Sequence, residues 1–351
     1  MPFEIVRNDI SNMQVDVIVN AASRLPRVNA GVDSSIHKKA GPALLVARKK
    51  IGYIQPGDVA ITPAFALDAK YVIHAVTPIW RDGTHQESAL LLNTYLKCLD
   101  LAQKQGCTSI AFPLLASGNH GFPKSKALQI AIQAFSGFLM EHDMLIYLVV
   151  FSKESVQLSE KLVHNISCYI DENYVSNYTR ENYGGVEERE RIDRYRLARL
   201  MSQREERSAN SCIDASHSTT VASQSSQSLS DFIKSKDAGF TETLKALIEK
   251  SGQKNSSIYN KANMSKQHFS KIINDPNAKP SKQTALALAL ALELNLDQTE
   301  DLIGRAGYAL TKSSTFDLIV QYFIEHKQFN IIEINFALYE FDQSLLGNSC
   351  I

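Results

Sequence analysis

The chain has 351 residues, enough for one or two domains of ordinary size, and its 37 Lys and Arg balance 37 Asp and Glu, so bulk charge says nothing about partners. Its five cysteines, Cys98, Cys107, Cys168, Cys212 and Cys350, are scattered without CxxC or metal-like spacing, which argues for a reducing compartment and against a metal site. The start Met1-Pro2-Phe3-Glu4 lacks a signal-peptide pattern and no apolar run nears the roughly 20 residues of a membrane helix, so a cytoplasmic protein with no membrane partner is expected.

Residues 1 to about 170 alternate strand-like and helix-like segments. Strands are expected over Phe3–Arg7, Val15–Asn20, Val59–Pro63, Tyr71–Val76, Ser109–Pro113 and Ile146–Phe151, and helices over Ser34–Ile51, Glu87–Gln105, Lys124–His142 and Ser155–Glu172. Strands separated by helices predict an α/β sheet covered on both faces. Residues 187–207 are charged throughout, a solvated helix or one that packs on a partner. Residues 208–230 are serine-rich and poor in large apolar side chains, and read as a disordered linker. From Phe240 the pattern is helical: Thr241–Ser251, Ser256–Asn263, Ser265–Asn274, Ser281–Leu294, Asp297–Gly307, Thr315–Glu325 and Ile331–Tyr339. Ser256, Ser265 and Ser281 stand where N-caps belong, Gly252 and Gly307 where helices end. The expected division is therefore an α/β domain over 1–175, a linker over 176–237 and an all-α domain over 238–351.

The stretch VDVIVNAASRLPRVNAGVDSSIHKKAG, residues 15–41, reads as strand, loop and helix start. Such an arrangement cradles phosphates, because a helix N-terminus offers unpaired N–H groups and a positive dipole end. The GxxxxGK[ST] and GxGxxG signatures are absent. A second loop, Ser117-Gly118-Asn119-His120-Gly121-Phe122-Pro123, also leads into a helix. VDVIVNAA, GVDSSIHKKAGPAL, GDVAITPAFALDAKYVIHAVTPIW and FPLLASGNHGFP, in that order, resemble the macro domain, a family that binds ADP-ribose.

The resemblance implies a three-layer α/β/α sandwich with a mixed sheet, and ADP-ribose or an ADP-ribosylated protein as partner, with no further cofactor. It implies that Asp16 accepts a hydrogen bond from the adenine amino group, with Val17 beside it; capping of a nearby loop is the other reading of Asp16. Phe151 matches the aromatic that stacks on adenine, or is an ordinary core Phe. Asn20 scaffolds the first loop and lines the site. Asp33 contacts the distal ribose and orients the attacking water, and Gly31 and Val32 line the same loop. Ser117, Gly118, Asn119 and Gly121 hold phosphate, His120 donates to phosphate or ribose, and Phe122 lies against the distal ribose. His37 packs or hydrogen-bonds, and His74 is a satisfied core or strand-end histidine. The chain departs from the family pattern at Ser23, where hydrolytic members carry a second Asn, and in a first loop with only Gly31 in place of a glycine run. Asp33, Ser23 and His120 are thus the catalytic candidates for hydrolysis of an ADP-ribosyl bond; a non-enzymatic ADP-ribose reader is the alternative.

The run SSIYNKANMSKQHFSKIIND, residues 256–275, resembles a phage-repressor helix-turn-helix. Lys266, Gln267, His268 and Lys271 fall on the exposed face of its second helix, with Met264, Phe269, Ile272 and Ile273 inward. Residues 241–295 carry eight Lys against four acidic residues, which suits duplex DNA or a helical protein-binding module. The apolar tail beyond Thr315 caps that core or forms a homodimer face.

Overall fold

The computed structural model describes residues 2–118, 120–151, 158–182 and 238–347. Asn119, the charged stretch 187–207 and the serine-rich stretch 208–230 lie outside the described residues. Six strands form one sheet: β1 (Phe3–Arg7), β2 (Val17–Ala21), β3 (Val59–Pro63), β4 (Tyr71–Ala75), β5 (Ser109–Pro113) and β6 (Leu145–Val150). Their order is β1-β6-β5-β2-β4-β3. All neighbours are parallel except β3 with β4, so the sheet is mixed. The central strands are almost continuously apolar, as strands covered on both faces are.

Helices α1 (Val32–Ala40) and α2 (Pro42–Ile51) replace the single helix expected from Ser34 to Ile51. Gly41 sits at φ 82° between them and Pro42 opens α2, a break that Pro imposes on the residue before it. Ile36, Ala40 and Leu44 of these helices pack with Ile18, Val72, Ala111 and Val149 on one face of the sheet. Helices α3 (Glu87–Lys104) and α4 (Lys124–Glu141) pack on each other. There Tyr95, Phe112 and Phe135 form a buried ring cluster with centroids 5.1–5.5 Å apart. Helix α5 (Glu160–Asn182) follows β6.

The second region is all-helical: α6 (Phe240–Ser251), α7 (Asn255–Lys261), α8 (Lys266–Asn274), α9 (Lys282–Ala291), α10 (Leu296–Arg305), α11 (Thr315–Glu325) and α12 (Ile331–Glu340). Ser265 and Ser281 cap α8 and α9 through their side chains, as expected. Ser256 does not cap: Lys254 holds that position and Ser256 lies inside α7. Helix α9 is buried along nearly its whole length and forms the core of this region.

The described residues within 2–168 and 239–347 pack as one compact unit. One link within that unit is Asn263, in the α7–α8 turn at φ 51°. Its side chain accepts from the Phe3 N–H at 2.9 Å and donates to the Phe3 carbonyl at 3.0 Å. Strand β1 is an edge, and a buried amide that mimics a neighbouring strand satisfies two backbone groups that would otherwise be costly. Phe3 also packs between Phe135 of α4 and Phe336 of α12, at 5.7 and 5.8 Å. Among the described residues no helix is long and apolar enough to cross a membrane.

Candidate functional site at the carboxyl edge of the sheet

In a parallel α/β sheet, ligands bind beyond the carboxyl ends of the strands. At that edge the chain leaves β2 for the first loop, β5 for the second, β4 for residues 76–86, β6 for Phe151 and β1 for Asn8-Asp9-Ile10. Helices α1 and α4 both begin there with no side-chain cap. Gly31, the α1 N-cap, has φ 76° and ψ −136°, a conformation other residues adopt only under strain. Two uncapped helix starts at one edge form an anion-receptive surface.

Beneath the first loop lies a buried polar cluster. Asn20, fully buried, donates from Nδ2 to Asp33 Oδ1 at 2.6 Å and lies 3.3 Å from His74 Nδ1. Asp33, 2% exposed, also accepts from the Asn29 N–H at 2.6 Å and lies 3.4 Å from His37 Nε2. Burial pushes the Asp33 carboxyl up, but hydrogen bonds from His37, Asn20 and Asn29 outweigh it and hold it below the usual carboxylate range. His74 is the satisfied core histidine expected, with Thr62 Oγ1 3.0 Å from Nε2. Burial, with Arg48 and His37 nearby, lowers its pKa to about 3, so it is neutral. Its Nδ1 therefore accepts from Asn20 and its Nε2–H donates to Thr62.

The first loop is held from outside by Arg48 of α2, itself buried. Its guanidinium donates to the carbonyls of Ser23 at 3.1 Å, Arg24 at 3.2 Å and Gly52. No periodicity marks Arg48 in the sequence, because its partners are backbone oxygens, two of them some 25 residues earlier. The Ser23 hydroxyl accepts from Arg27 Nε at 3.2 Å. In the second loop Ala116 takes φ 66°, a strained value for a non-glycine residue. The Ser117 hydroxyl donates to Leu114 O at 2.8 Å. His120 Nδ1 lies 2.6 Å from Thr77 Oγ1, and burial shifts its pKa down. Phe122 is 3% exposed and packs on Trp80, centroids 4.8 Å apart. Trp80 is only half-buried, so the aromatic surface open at this corner is Trp80's.

Two expected site residues are elsewhere. Asp16 and Val17 lie at the amino end of β2, the opposite edge of the sheet. Asp16 accepts from the Thr108 N–H at 2.7 Å, the Thr108 hydroxyl at 2.9 Å and Lys70 Nζ at 2.8 Å. Its own carbonyl accepts from Lys70 and Tyr71 N–H groups. Burial raises its pKa, but these partners bring it down to about 2. Asp16 therefore ties together the starts of β2, β4 and β5, and Val17 is wholly buried. The strand begins two residues later than expected, which puts Asp16 at its start and not along it.

Asp9 is the carboxylate at the right edge. It follows β1, accepts from Ser11 N–H at 2.9 Å and takes the Ser35 hydroxyl on Oδ2 at 2.6 Å. The adjacent Asn8 N–H bonds Val150 O, so the chain leaving β1 still runs alongside the end of β6, which Phe151 follows. Phe151 is 80% exposed, so it is not a core Phe. The readable signal was Asn-Asp-Ile directly after an apolar strand.

Residues 19–131 match the family model described as the Macro domain. The chain is 42% identical over 166 residues to an O-acetyl-ADP-ribose deacetylase of Salmonella newport, covering 93% of that protein and 46% of this one. The chain belongs to the macro domain family. A second relative, an O-acetyl-ADP-ribose deacetylase of Escherichia fergusonii, is 42% identical over 165 residues, with 93% of it covered and 45% of this chain. Among solved structures, the Oceanobacillus iheyensis macrodomain with ADP is 37% identical over 44% of this chain and 85% of its own, with a TM-score of 0.42. The Trypanosoma brucei macrodomain with ADP-ribose is 33% identical, covering 44% of this chain and 66% of its own, with a TM-score of 0.41.

Within this macro domain, Asp82, His85 and Glu87 place their ligand atoms within 4.8 Å of one another. Their carboxylates already accept N–H groups of their own loop, from Thr84 to Asp82 and from Arg81, Gly83 and His85 to Glu87. The cluster is accounted for as a loop brace.

Proposed function

We propose that the macro domain binds ADP-ribose along the carboxyl edge and hydrolyses an ester on its distal ribose. Relatives named O-acetyl-ADP-ribose deacetylases at 42% identity, matched over 93% of their length, support the activity. The observation that carries the reading is the buried Asn20–Asp33–His37 cluster directly under the uncapped start of α1.

In this reading Phe151 stacks on adenine and Asp9 replaces Asp16 as acceptor for its amino group. The diphosphate spans the starts of α1 and α4, over Gly31, Val32, Ser117, Gly118 and Gly121. The distal ribose lies among Ser23, His120 and Trp80, with Phe122 behind. A carboxyl held below the usual range is a weak base, so Asp33 acts by charge. It fixes the Asn29 end of the loop and favours the positive character the water oxygen gains as it adds to the ester carbonyl carbon. The bond from the acyl carbon to the ribose oxygen then breaks, and the water's proton passes through solvent to the departing ribose oxygen. His120 offers a hydrogen bond to the ribose or a phosphate. Ser23 supplies one donor where an amide supplies two, which slows turnover more than it weakens binding.

Calorimetry with ADP-ribose, followed by acetate release from O-acetyl-ADP-ribose and hydrolysis of a mono-ADP-ribosylated protein, tests the reading. Binding with turnover of either substrate supports the enzyme. Binding without turnover favours a reader, and no binding rejects both.

For the helical region, taken as 238–351 beyond a 176–237 linker, we propose duplex DNA as the partner. Lys266, Gln267 and Lys271 are exposed along α8, while Phe269 and Ile272 are buried. Cations and an amide on one short helix suit phosphate and adenine contacts. Lys266 and Gln267 also line a crevice against Thr108 and residues 143–145 of the macro domain, which narrows the approach. Anisotropy with random duplex DNA at two salt concentrations decides it: affinity that falls steeply with salt supports DNA, and none at low salt turns attention to a protein partner.

A further inference from the structure

The helical region meets the macro domain along a seam that is clipped by polar groups and loosely filled. Asn263 holds both backbone groups of Phe3. Asn330, at the start of α12, donates from Nδ2 to Ser136 Oγ of α4 at 3.1 Å and lies with Oδ1 3.4 Å from the same hydroxyl. These are neutral groups, which water satisfies nearly as well once a seam opens. Cavities of about 400, 430 and 400 Å³ lie along it, each lined from both sides. Glu333 of α12 lines one of them opposite α4 and makes no ion pair among the described residues. Burial pushes its carboxyl up, a cost that docking imposes. Interiors that stay closed are close-packed, whereas a polar seam with voids is of the kind that separates. Phe3, its ring between Phe135 and Phe336, is the apolar anchor that favours the packed arrangement.

This seam covers the part of the helix pair that would read DNA. In helix-turn-helix proteins the second helix enters the major groove by its N-terminal residues, while the first crosses the backbone. Here α7 packs on α4, and Asn263 in the turn is 2% exposed. Ser265, Lys266 and Gln267, at the start of α8, share a cavity with Pro2, Thr108 and Met144. A groove about 8.5 Å deep has to close round a helix on both sides, and the macro domain stands where one wall would pass. Asp143 lines the same cavity, an acidic side chain that phosphates avoid. Lys271, further along α8, stays exposed and leaves the packed chain only an outer phosphate contact.

We propose that the packed arrangement is a self-inhibited state of the helix pair, which binds duplex DNA only after the seam opens and Asn263 releases Phe3. The proposal rests on the reading of the helical region as a duplex-DNA binder. Apparent affinity is then the open-state affinity reduced by the open fraction, and duplex, bound by the open form, draws the chain out of the packed one. The inhibiting surface is the amino edge of the sheet, where β1, β5 and β6 begin, opposite the edge that carries the candidate cleft.

The test uses the full chain, a random-sequence duplex and anisotropy at low salt. Asn263→Gly removes the amide yet keeps a residue at ease with φ 51°, and should bind about tenfold more tightly than the unaltered chain. Ser136→Glu opens the seam from the macro side, leaves the helix pair untouched and should act in the same direction. Adding Lys266→Ala and Gln267→Ala to Asn263→Gly should erase the gain. In the unaltered chain, duplex should speed hydrogen exchange at the Phe3 amide. Equal affinity in the unaltered chain and both seam variants, or duplex bound with Phe3 protection intact, overturns self-inhibition and leaves DNA binding standing. A gain that survives the loss of Lys266 and Gln267 overturns it as well. If neither the unaltered chain nor either seam variant binds duplex, the DNA reading fails first and the proposal falls with it.

Discussion

Asp16 and Asp33 are both aspartates whose carboxyls are held below the usual range by several hydrogen bonds. They sit at opposite ends of the same strand, β2, and its following helix. Asp16, at the amino edge, is braced by Lys70 and Thr108, and Lys70 is 65% exposed. Its partners are the starts of neighbouring strands, and its work ends with joining them. Asp33, at the carboxyl edge, is braced by Asn20, His37 and the Asn29 N–H, two of which belong to the first loop or α1. The same chemistry therefore stiffens the sheet at one edge and shapes a loop over an anion-receptive surface at the other. A low carboxyl pKa alone distinguishes neither; the edge does.

The largest test of that contrast is Asp33→Asn. If Asp33 acts in the transition state, turnover should fall about 100-fold or more while ADP-ribose affinity changes little. A matched loss of both, measured by kinetics and calorimetry, would make Asp33 a binding residue only.

Next comes the exchange of the adenine role. Asp9→Ala should weaken ADP-ribose binding by about 1–3 kcal/mol, the cost of an unpaired polar group. Asp16→Ala should leave affinity within about twofold, yet lower unfolding free energy by about 1–2 kcal/mol, discounted because Lys70 is open to water. Calorimetry and denaturant titration on both variants separate the edges; a loss of affinity in Asp16→Ala would reverse the assignment.

A smaller effect concerns pH. The His74 pKa is about 3 in the folded chain and 6.5 unfolded, so between those values the unfolded state binds the extra proton. Stability should therefore rise with pH from about 3 to about 6.5 and be fully present above. Asp16, depressed from 3.8 to about 2, adds stability above its unfolded value that is lost as pH falls toward 2. His74→Gln should flatten the upper part of the curve and leave the lower part, as followed by urea midpoints at stepped pH.

The smallest is Ser23→Asn. An amide beside the distal ribose should preserve or modestly raise turnover, at most about tenfold. Loss of activity would mean that the Ser23–Arg27 contact gives this loop a geometry of its own.

The sequence by itself determined the elements and the family. Strands β1, β3 and β5 and helix α11 match their expected bounds residue for residue, because apolar runs and caps are local properties. Asn20, Asp33 and His74 were legible too, since each is a polar residue in a recognisable strand-loop-helix pattern. What only the tertiary structure decided is which end of a strand a residue serves. Asp16 and Asp9 are both aspartates next to apolar strands, but Asp16 precedes the amino end of β2 and Asp9 follows the carboxyl end of β1, so they lie at opposite edges of the sheet. Arg48 and Asn263 were equally hidden, because both act on backbone groups distant in sequence. Backbone amides and carbonyls carry no residue-type signature, so a side chain that completes them becomes visible only when the chain has brought the two together.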